Sequence, residues 1–338
     1  MQLAPTPRDT VHREGTAQLY RFRQPGRRLA VAPVPLILVC SPINRWYIVD
    51  LREGASLSAE LSQHFDTFCL DWGVFEDEDR YLRWEQLLDR LARAIRVVKR
   101  LTGSPKVALV GYCMGGTLCG IHAALHPEEI GALVNLVGPF DFARGGMLSL
   151  LTDRRWFDAD AVAAAGNVSP HQMQAGFSAL HPTLPLSKWV NFWTKTVMDS
   201  ELRDAFFSLE TWAGDNIPFP AAAYATYVRE LYQENKLVKG EHFVHGRRVD
   251  LGEIKSPILT IVATRDTICP PPSATALNDH ATGSPDREVL TIPGGHIGAV
   301  VGPSATESLY GPLRGWLDKR LASVPRLVRA PSAEATKS

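Results

Sequence analysis

The six residues Gly111-Tyr112-Cys113-Met114-Gly115-Gly116 constrain this chain more than any other stretch. They follow Lys106 to Val110, a run with the length and β-branched content of a buried strand. They precede Thr117 to His126, a Leu/Ala-rich segment that reads as a helix and stops before Pro127. Strand, sharp turn and helix, with a small residue two before and two after a cysteine, make the G-x-nucleophile-x-G elbow with thiol in place of hydroxyl. The glycines are required where backbone packs on backbone and a Cβ has no room. A helix N-terminus beside the sulfur favours thiolate over thiol. The amide of Met114 then points to where an oxyanion would form. A structural cysteine in a Gly-rich βα turn would spell the same six letters, so the reading depends on partners elsewhere in the chain.

The totals narrow the classes of function. At 338 residues the chain can bury a large core, as one α/β domain with an insertion or as two domains. Lys+Arg and Asp+Glu stand at 36 each, so no basic surplus argues for nucleic acid. Cys40, Cys69, Cys113, Cys119 and Cys269 are odd in number and lack C-x-x-C spacing, which suits a reducing compartment rather than a disulfide framework or zinc site. Met1 to Gly15 is polar and shows no signal peptide. No apolar run approaches the ~18 residues of a transmembrane segment. The expectation is a cytoplasmic protein with no metal and no cofactor.

Along the chain, residues 1–16 read as a flexible arm. Ala17 to Arg23 and Arg28 to Ala32 read as paired strands around the turn Gln24-Pro25-Gly26. Strand patterns follow at Leu36 to Cys40, Thr67 to Leu70, Ala132 to Val137, Pro257 to Ala263 and Glu288 to Ile292. Helical patterns lie at Leu57 to His64, Tyr81 to Leu101 and Thr306 to Leu321. In the second of these, Arg83, Arg90, Arg93 and Arg100 fall off the apolar stripe and read as a solvated face. Residues 145–250 hold Trp156, Trp189, Trp193 and Trp212, scattered prolines and helical patterns without an apolar strand run, as expected of a helical cap. Residues 325–338 read as a disordered tail. Strand-helix alternation implies a mostly parallel, doubly wound sheet covered on both faces. The expected fold is an α/β-hydrolase core over 17–144 and 251–324, interrupted by the cap at 145–250.

In that fold the order is nucleophile, acid, histidine, each past the carboxyl end of a strand. After Cys113, the strand ending at Ala263 runs into Thr264-Arg265-Asp266, and the last strand into Pro293-Gly294-Gly295-His296. Alone, Asp266 is a turn or N-cap aspartate before Pro270-Pro271-Pro272, and His296 a loop histidine bonded to backbone. Three such residues in order at strand ends point to a catalytic triad, with Asp141 as the reserve acid. The second oxyanion donor comes from the loop after an early strand, so Ile43 or Asn44 joins Met114 as a backbone candidate. His122 and His126, four apart on a helix, have the spacing of metal ligands but no third partner, and ordinary packing is expected. A thiol nucleophile with a histidine base suits acyl transfer from thioesters, because thioester exchange is nearly thermoneutral. Whether water or an alcohol takes the acyl group then depends on what the cap admits.

Several further stretches carry a family likeness. They are Ser41-Pro42-Ile43-Asn44-Arg45-Trp46-Tyr47-Ile48-Val49-Asp50-Leu51, Leu70-Asp71-Trp72-Gly73, Glu210-Thr211-Trp212-Ala213-Gly214-Asp215-Asn216-Ile217-Pro218, Tyr232-Gln233-Glu234-Asn235-Lys236-Leu237 and Pro293-Gly294-Gly295-His296-Ile297-Gly298. With the elbow, they make the chain resemble the polyhydroxyalkanoate synthases, in particular the short catalytic subunit of the two-component (class III) type, over about residues 17 to 320. The resemblance implies that Cys113 is acylated and that His296 deprotonates it. It implies that Asp266 orients His296 or helps activate the 3-hydroxyl of the incoming unit. The implied substrate is (R)-3-hydroxyacyl-CoA, the product a polyester, and CoA the leaving group. A homodimer through the cap and attachment to a polymer granule surface are implied as well. A second synthase subunit is also expected, because the large N-terminal domain of the single-component synthases has no counterpart here. The acid motif Ala263-Thr264-Arg265-Asp266-Thr267-Ile268-Cys269-Pro270 is only loosely like the family's, and Cys269 is unexpected in it. The alternative is a Cys-dependent hydrolase, since dienelactone hydrolases have a similar elbow, or an esterase or thioesterase of the same fold. The cap counts against the dienelactone reading, and the complete set of three residues counts against a non-catalytic granule scaffold.

Overall fold

The computed structural model describes residues 2–23, 34–180, 189–190 and 192–321. Strands β1 (Arg8–Glu14), β2 (Ala17–Phe22), β3 (Leu36–Val39), β4 (Thr67–Asp71), β5 (Val107–Tyr112), β6 (Ile130–Leu136), β7 (Ile258–Ala263) and β8 (Arg287–Ile292) form one sheet. Its spatial order is β1-β2-β4-β3-β5-β6-β7-β8. From β4 to β8 every pairing is parallel, and β2 joins β4 antiparallel. The doubly wound expectation therefore holds, with an antiparallel hairpin added at one edge.

Strands buried on both faces alternate their side chains between two apolar layers. Ile37, Val39, Leu109 and Leu133 pack into one layer with Leu87, Leu91 and Ile95 of helix α2 (Trp84–Thr102). Leu36, Leu38, Val110 and Val134 pack into the other with Leu57 and Leu61 of helix α1 (Leu57–Ser62) and with Leu313 and Leu317 of the closing helix (Gly311–Leu321). The closing segment differs from the single helix expected, since Thr306–Tyr310 is a π-helical turn leading into it.

The flexible arm expected over residues 1–16 is corrected. Arg8–Glu14 is a strand, paired antiparallel with β2. The cause is polar anchoring the periodicity did not show. The Thr6 hydroxyl donates to the buried Asp50 carboxylate at 2.6 Å, and Glu14 pairs with Arg93 at 3.0 Å. Arg90 is likewise not a solvated residue of the α2 face. Its guanidinium reaches the Thr16 hydroxyl at 3.2 Å and Asp79 at 3.8 Å, holding the β1–β2 turn against α2. The expected pairing partner Arg28 to Ala32, its turn at Gln24-Pro25-Gly26, and the tail from 325 lie outside the described residues.

Helix α3 (Met114–Leu125) begins one residue after the elbow cysteine, earlier than the apolar pattern suggested. Between β6 and β7 the chain leaves the sheet and forms short helices, among them α4 (Pro170–Leu180) and α5 (Ser200–Gly214), which roof the carboxyl ends of the strands. The elbow sits directly beneath them. A Cβ on Gly111 would lie 2.5 Å from the Gly115 carbonyl oxygen, and one on Gly115 would overlap the carbonyl oxygen of Val39 at the end of β3. That approach clamps α3 against two strands. Substituting Gly115→Ala is expected to destabilise the fold by about 3 kcal/mol, the upper end of overpacking costs, read from the denaturation midpoint.

Candidate active site

Cys113 occupies the turn between β5 and α3 with φ 57° and ψ −129°. A side chain held at such a φ costs about 1–3 kcal/mol and persists only where its surroundings dictate it. Here the Cys113 amide donates to the Leu136 carbonyl at 3.0 Å, and its carbonyl accepts from the Gly116 amide at 2.8 Å. The result is a half-buried sulfur at the carboxyl end of the central strand, lining the space under the cap.

Asp266 and His296 arrive from β7 and β8. One Asp266 oxygen accepts the backbone amides of Ile268 (2.9 Å) and Cys269 (2.8 Å). The other meets His296 Nδ1 at 2.7 Å. Both side chains are buried. With Nδ1 donating to the carboxylate, Nε2 is left for chemistry; it is buried and has no hydrogen-bond partner among the described residues. His296 and Cys113 line the same cavity. Burial alone would lower the His296 pKa, but the negative charge of the Cys113 sulfur and then of Asp266 outweighs it, and the ring is raised to about 10. The Tyr112 ring lies 5.5 Å from the imidazole and limits its tilt.

Of the two amides that left the second oxyanion donor open, that of Asn44 is used, donating to the Ser41 carbonyl at 3.3 Å. The Ile43 amide makes no hydrogen bond among the described residues, and its side chain borders the same space as Cys113. The Met114 amide stands at the first turn of α3, where amides have no intrahelical partner. The reserve acid Asp141 is occupied elsewhere, bonded by Asn235 at 2.9 Å and Arg144 at 3.2 Å. His122 and His126 pack ring on ring at 4.8 Å, with His122 against Glu129. No group of metal-ligating side chains occurs among the described residues.

The loop that carries Ile43 is tied to the cap. The Trp212 indole donates to the Arg45 carbonyl at 2.9 Å, and the Tyr47 hydroxyl to Asp215 at 2.7 Å. The Asn44 side-chain amide donates to Asn216 at 2.6 Å. Two of the sequence stretches singled out above thus meet in space, although 172 residues separate Asn44 from Asn216. Sequence reasoning missed Phe177 and Ile268, which border the space on both sides of Cys113. Phe177 sits in no chemical motif and no periodicity marks it, while Ile268 lies within the acid motif, where the carboxylate rather than its apolar neighbour draws attention.

The charge on His296 gives a direct test. Its raised pKa keeps the ring cationic through neutral pH and loses that charge as pH rises towards about 10. Replacing Asp266→Asn removes one of the charges that raise it. Imidazole titration by NMR is therefore expected to show the variant's ring titrating at lower pH than the native ring. An unchanged titration would mean that the carboxylate does not hold the proton on the ring.

Residues 46–303 match the model of a family described as alpha/beta hydrolase fold. The poly(3-hydroxyalkanoate) polymerase subunit PhaC of Synechocystis sp. is 32% identical over 330 residues, covering 95% of this chain and 86% of that protein. The poly(3-hydroxyalkanoate) polymerase subunit PhaC of Allochromatium vinosum is 31% identical over 319 residues, covering 93% of this chain and 89% of that protein. Among solved structures, a hydrolase from Pseudomonas aeruginosa PA01 aligns with a TM-score of 0.56 at 16% identity, covering 92% of this chain and 98% of that one. That likeness carries the fold alone.

Proposed function

This chain belongs to the poly(3-hydroxyalkanoate) polymerase PhaC family within the alpha/beta hydrolase fold, and from that premise we propose that it polymerises (R)-3-hydroxyacyl-CoA into polyester through an acyl-enzyme on Cys113. The observation that carries the reading is the Asp266–His296 pair at 2.7 Å, on a ring that lines the cavity of the elbow cysteine and feels its sulfur.

In the first half-reaction the Cys113 sulfur attacks the thioester carbonyl carbon. The bond from that carbon to the CoA sulfur breaks, and CoA leaves with the proton from His296 Nε2. The amides of Met114 and Ile43 hold the oxyanion, and losing one such donor costs about 3 to 4 kcal/mol of transition-state stabilisation. In the second half-reaction the 3-hydroxyl of the next unit gives its proton to His296 and attacks the acyl-enzyme. An ester bond forms as the bond from the acyl carbon to the Cys113 sulfur breaks, and the pair of Cys113 thiolate and protonated His296 is returned. Asp266 keeps the imidazole oriented with Nε2 forward, and the cap limits access of water to the acyl-enzyme. The thioester is the activated group, so the reaction uses no cofactor.

No helix among the described residues is long and apolar enough to cross a membrane. The outer face of the cap nevertheless exposes Trp193, Met198 and Phe207. On the same reading this face meets an apolar surface, whether a second copy of the chain, a second synthase subunit or a polymer granule in the cytoplasm.

Incubation with 3-hydroxybutyryl-CoA, with and without a candidate second subunit, is expected to release CoA and to yield high-mass polymer. Free 3-hydroxy acid as the sole product would favour a hydrolase instead. Cys113→Ala is expected to abolish CoA release, whereas Cys119→Ala and Cys269→Ala retain it. Full turnover by Cys113→Ala would remove the nucleophile from the scheme.

A further inference from the structure

Of the five cysteines, Cys113 and Cys269 border the cavity of about 390 Å³ that runs beneath the cap. Val168, Phe177 and Phe219 wall it beside them. A second cavity, of about 410 Å³, also borders Cys113 and is lined by His296. Cys40, Cys69 and Cys119 border neither cavity and are buried in the two apolar layers. Cys269 is therefore a thiol with no part in acyl transfer, set in the wall of the chamber that holds the nucleophile.

Cys269 lies in the loop between β7 and the helix Pro271–His280, outside the sheet, so no strand ladder resists a movement of its side chain. Its amide donates to the Asp266 carboxylate at 2.8 Å. Both sulfurs act on the same two hydroxyls, those of Tyr227 and Tyr232, which line the cavity as well. The two thiols accordingly share one region of the wall. Electrostatics then give the pair an order of reaction. Burial, and after it the charges of Asp266 and Cys113, hold the Cys269 pKa well above the ordinary thiol range. Cys269 stays protonated and inert to oxidants while Cys113 is anionic. Conversion of Cys113 to an uncharged sulfenic acid removes one of those charges, and Cys269 then ionises more readily.

We propose that Cys113 and Cys269 form a reversible disulfide when the protein meets a hydroperoxide, which blocks the nucleophile and spares it from irreversible oxidation. In the first step the Cys113 thiolate attacks one peroxide oxygen. The S–O bond forms, the O–O bond breaks, and the departing hydroxide takes the proton of His296 Nε2 and leaves as water. In the second step the Cys269 sulfur attacks the Cys113 sulfur. The S–S bond forms, the S–O bond breaks, and hydroxide leaves as water with the Cys269 proton. The two sulfurs together give up the two electrons that reduce the peroxide. A dithiol restores both thiols by exchange. The pairing goes beyond the acyl-transfer reading and does not depend on which acyl group Cys113 carries.

The test exposes the reduced full chain to a titration of hydrogen peroxide, alkylates the remaining thiols and digests the chain for mass spectrometry. An intact mass lower by two hydrogens and a linked pair of peptides holding Cys113 and Cys269 are expected, both reversed by dithiothreitol. Cys269→Ser and Cys269→Ala are each expected to lose the link, and their Cys113 to run on to sulfinic acid that dithiothreitol does not restore. Cys119→Ala is expected to link as the native chain does. Native Cys113 recovered unmodified throughout the titration, or as sulfinic acid with Cys269 still alkylated, would overturn the proposal. A link from Cys113 to any other cysteine, within the chain or between copies, would overturn it too. CoA release from 3-hydroxybutyryl-CoA by the reduced chain reads the acyl-transfer function separately: a Cys113–Cys269 link with no such turnover would sink that reading and uphold the disulfide.

Discussion

The approach of α3 to the ends of β3 and β5 is the contact on which the site depends. Gly115 lies on the Val39 carbonyl, and Gly111 lies on the Gly115 carbonyl, with no space for a side-chain carbon at either. Backbone meeting backbone at that distance fixes the turn, and the turn forces Cys113 to φ 57°. A cysteine in relaxed backbone at the same sequence position would continue the strand or join the helix, and its sulfur would point into an apolar layer. Buried thiols elsewhere in this chain show that outcome: burial raises the pKa of Cys69, Cys119 and Cys269 well above the usual range. Placement at the elbow is what leaves the Cys113 sulfur half-buried while the other four cysteines are buried.

The histidine depends on the opposite arrangement, a saturated neighbour. Asp266 accepts two backbone amides on one oxygen and the ring on the other, which fixes both oxygens of the carboxylate. A carboxylate so fixed orients the imidazole and supports its positive charge. The ring's Nε2 is buried and has no hydrogen-bond partner of ordinary geometry among the described residues, and the nearby Cys113 sulfur acts on the ring.

Much of this was legible in the sequence because parallel strands write themselves as apolar runs and end where chemistry begins. The runs at Leu36, Lys106, Ala132, Pro257 and Glu288 each fall within two residues of a strand in the sheet. Asp266 and His296 were found by their place after such runs, and the structure brings them into contact. The first strand escaped because its residues, Arg8–Glu14, are largely polar; what orders them is Thr6 on Asp50 and Glu14 on Arg93, contacts between distant positions. Arg90 was misread for the same reason, since an arginine off the apolar stripe looks solvated whether or not another segment lies over it. The side walls of the two cavities were invisible, because Phe177, Val168 and Phe219 come together only when the cap folds over the sheet.

The tie between the cap and the Ser41–Tyr47 loop has a mechanical consequence. Trp212, Asp215 and Asn216 grip the segment that presents the Ile43 amide. A roof lifted far enough to break those bonds also releases the loop beneath it. Any displacement of the roof is therefore transmitted to the wall of the chamber around Cys113, because Ile43 borders it on both sides.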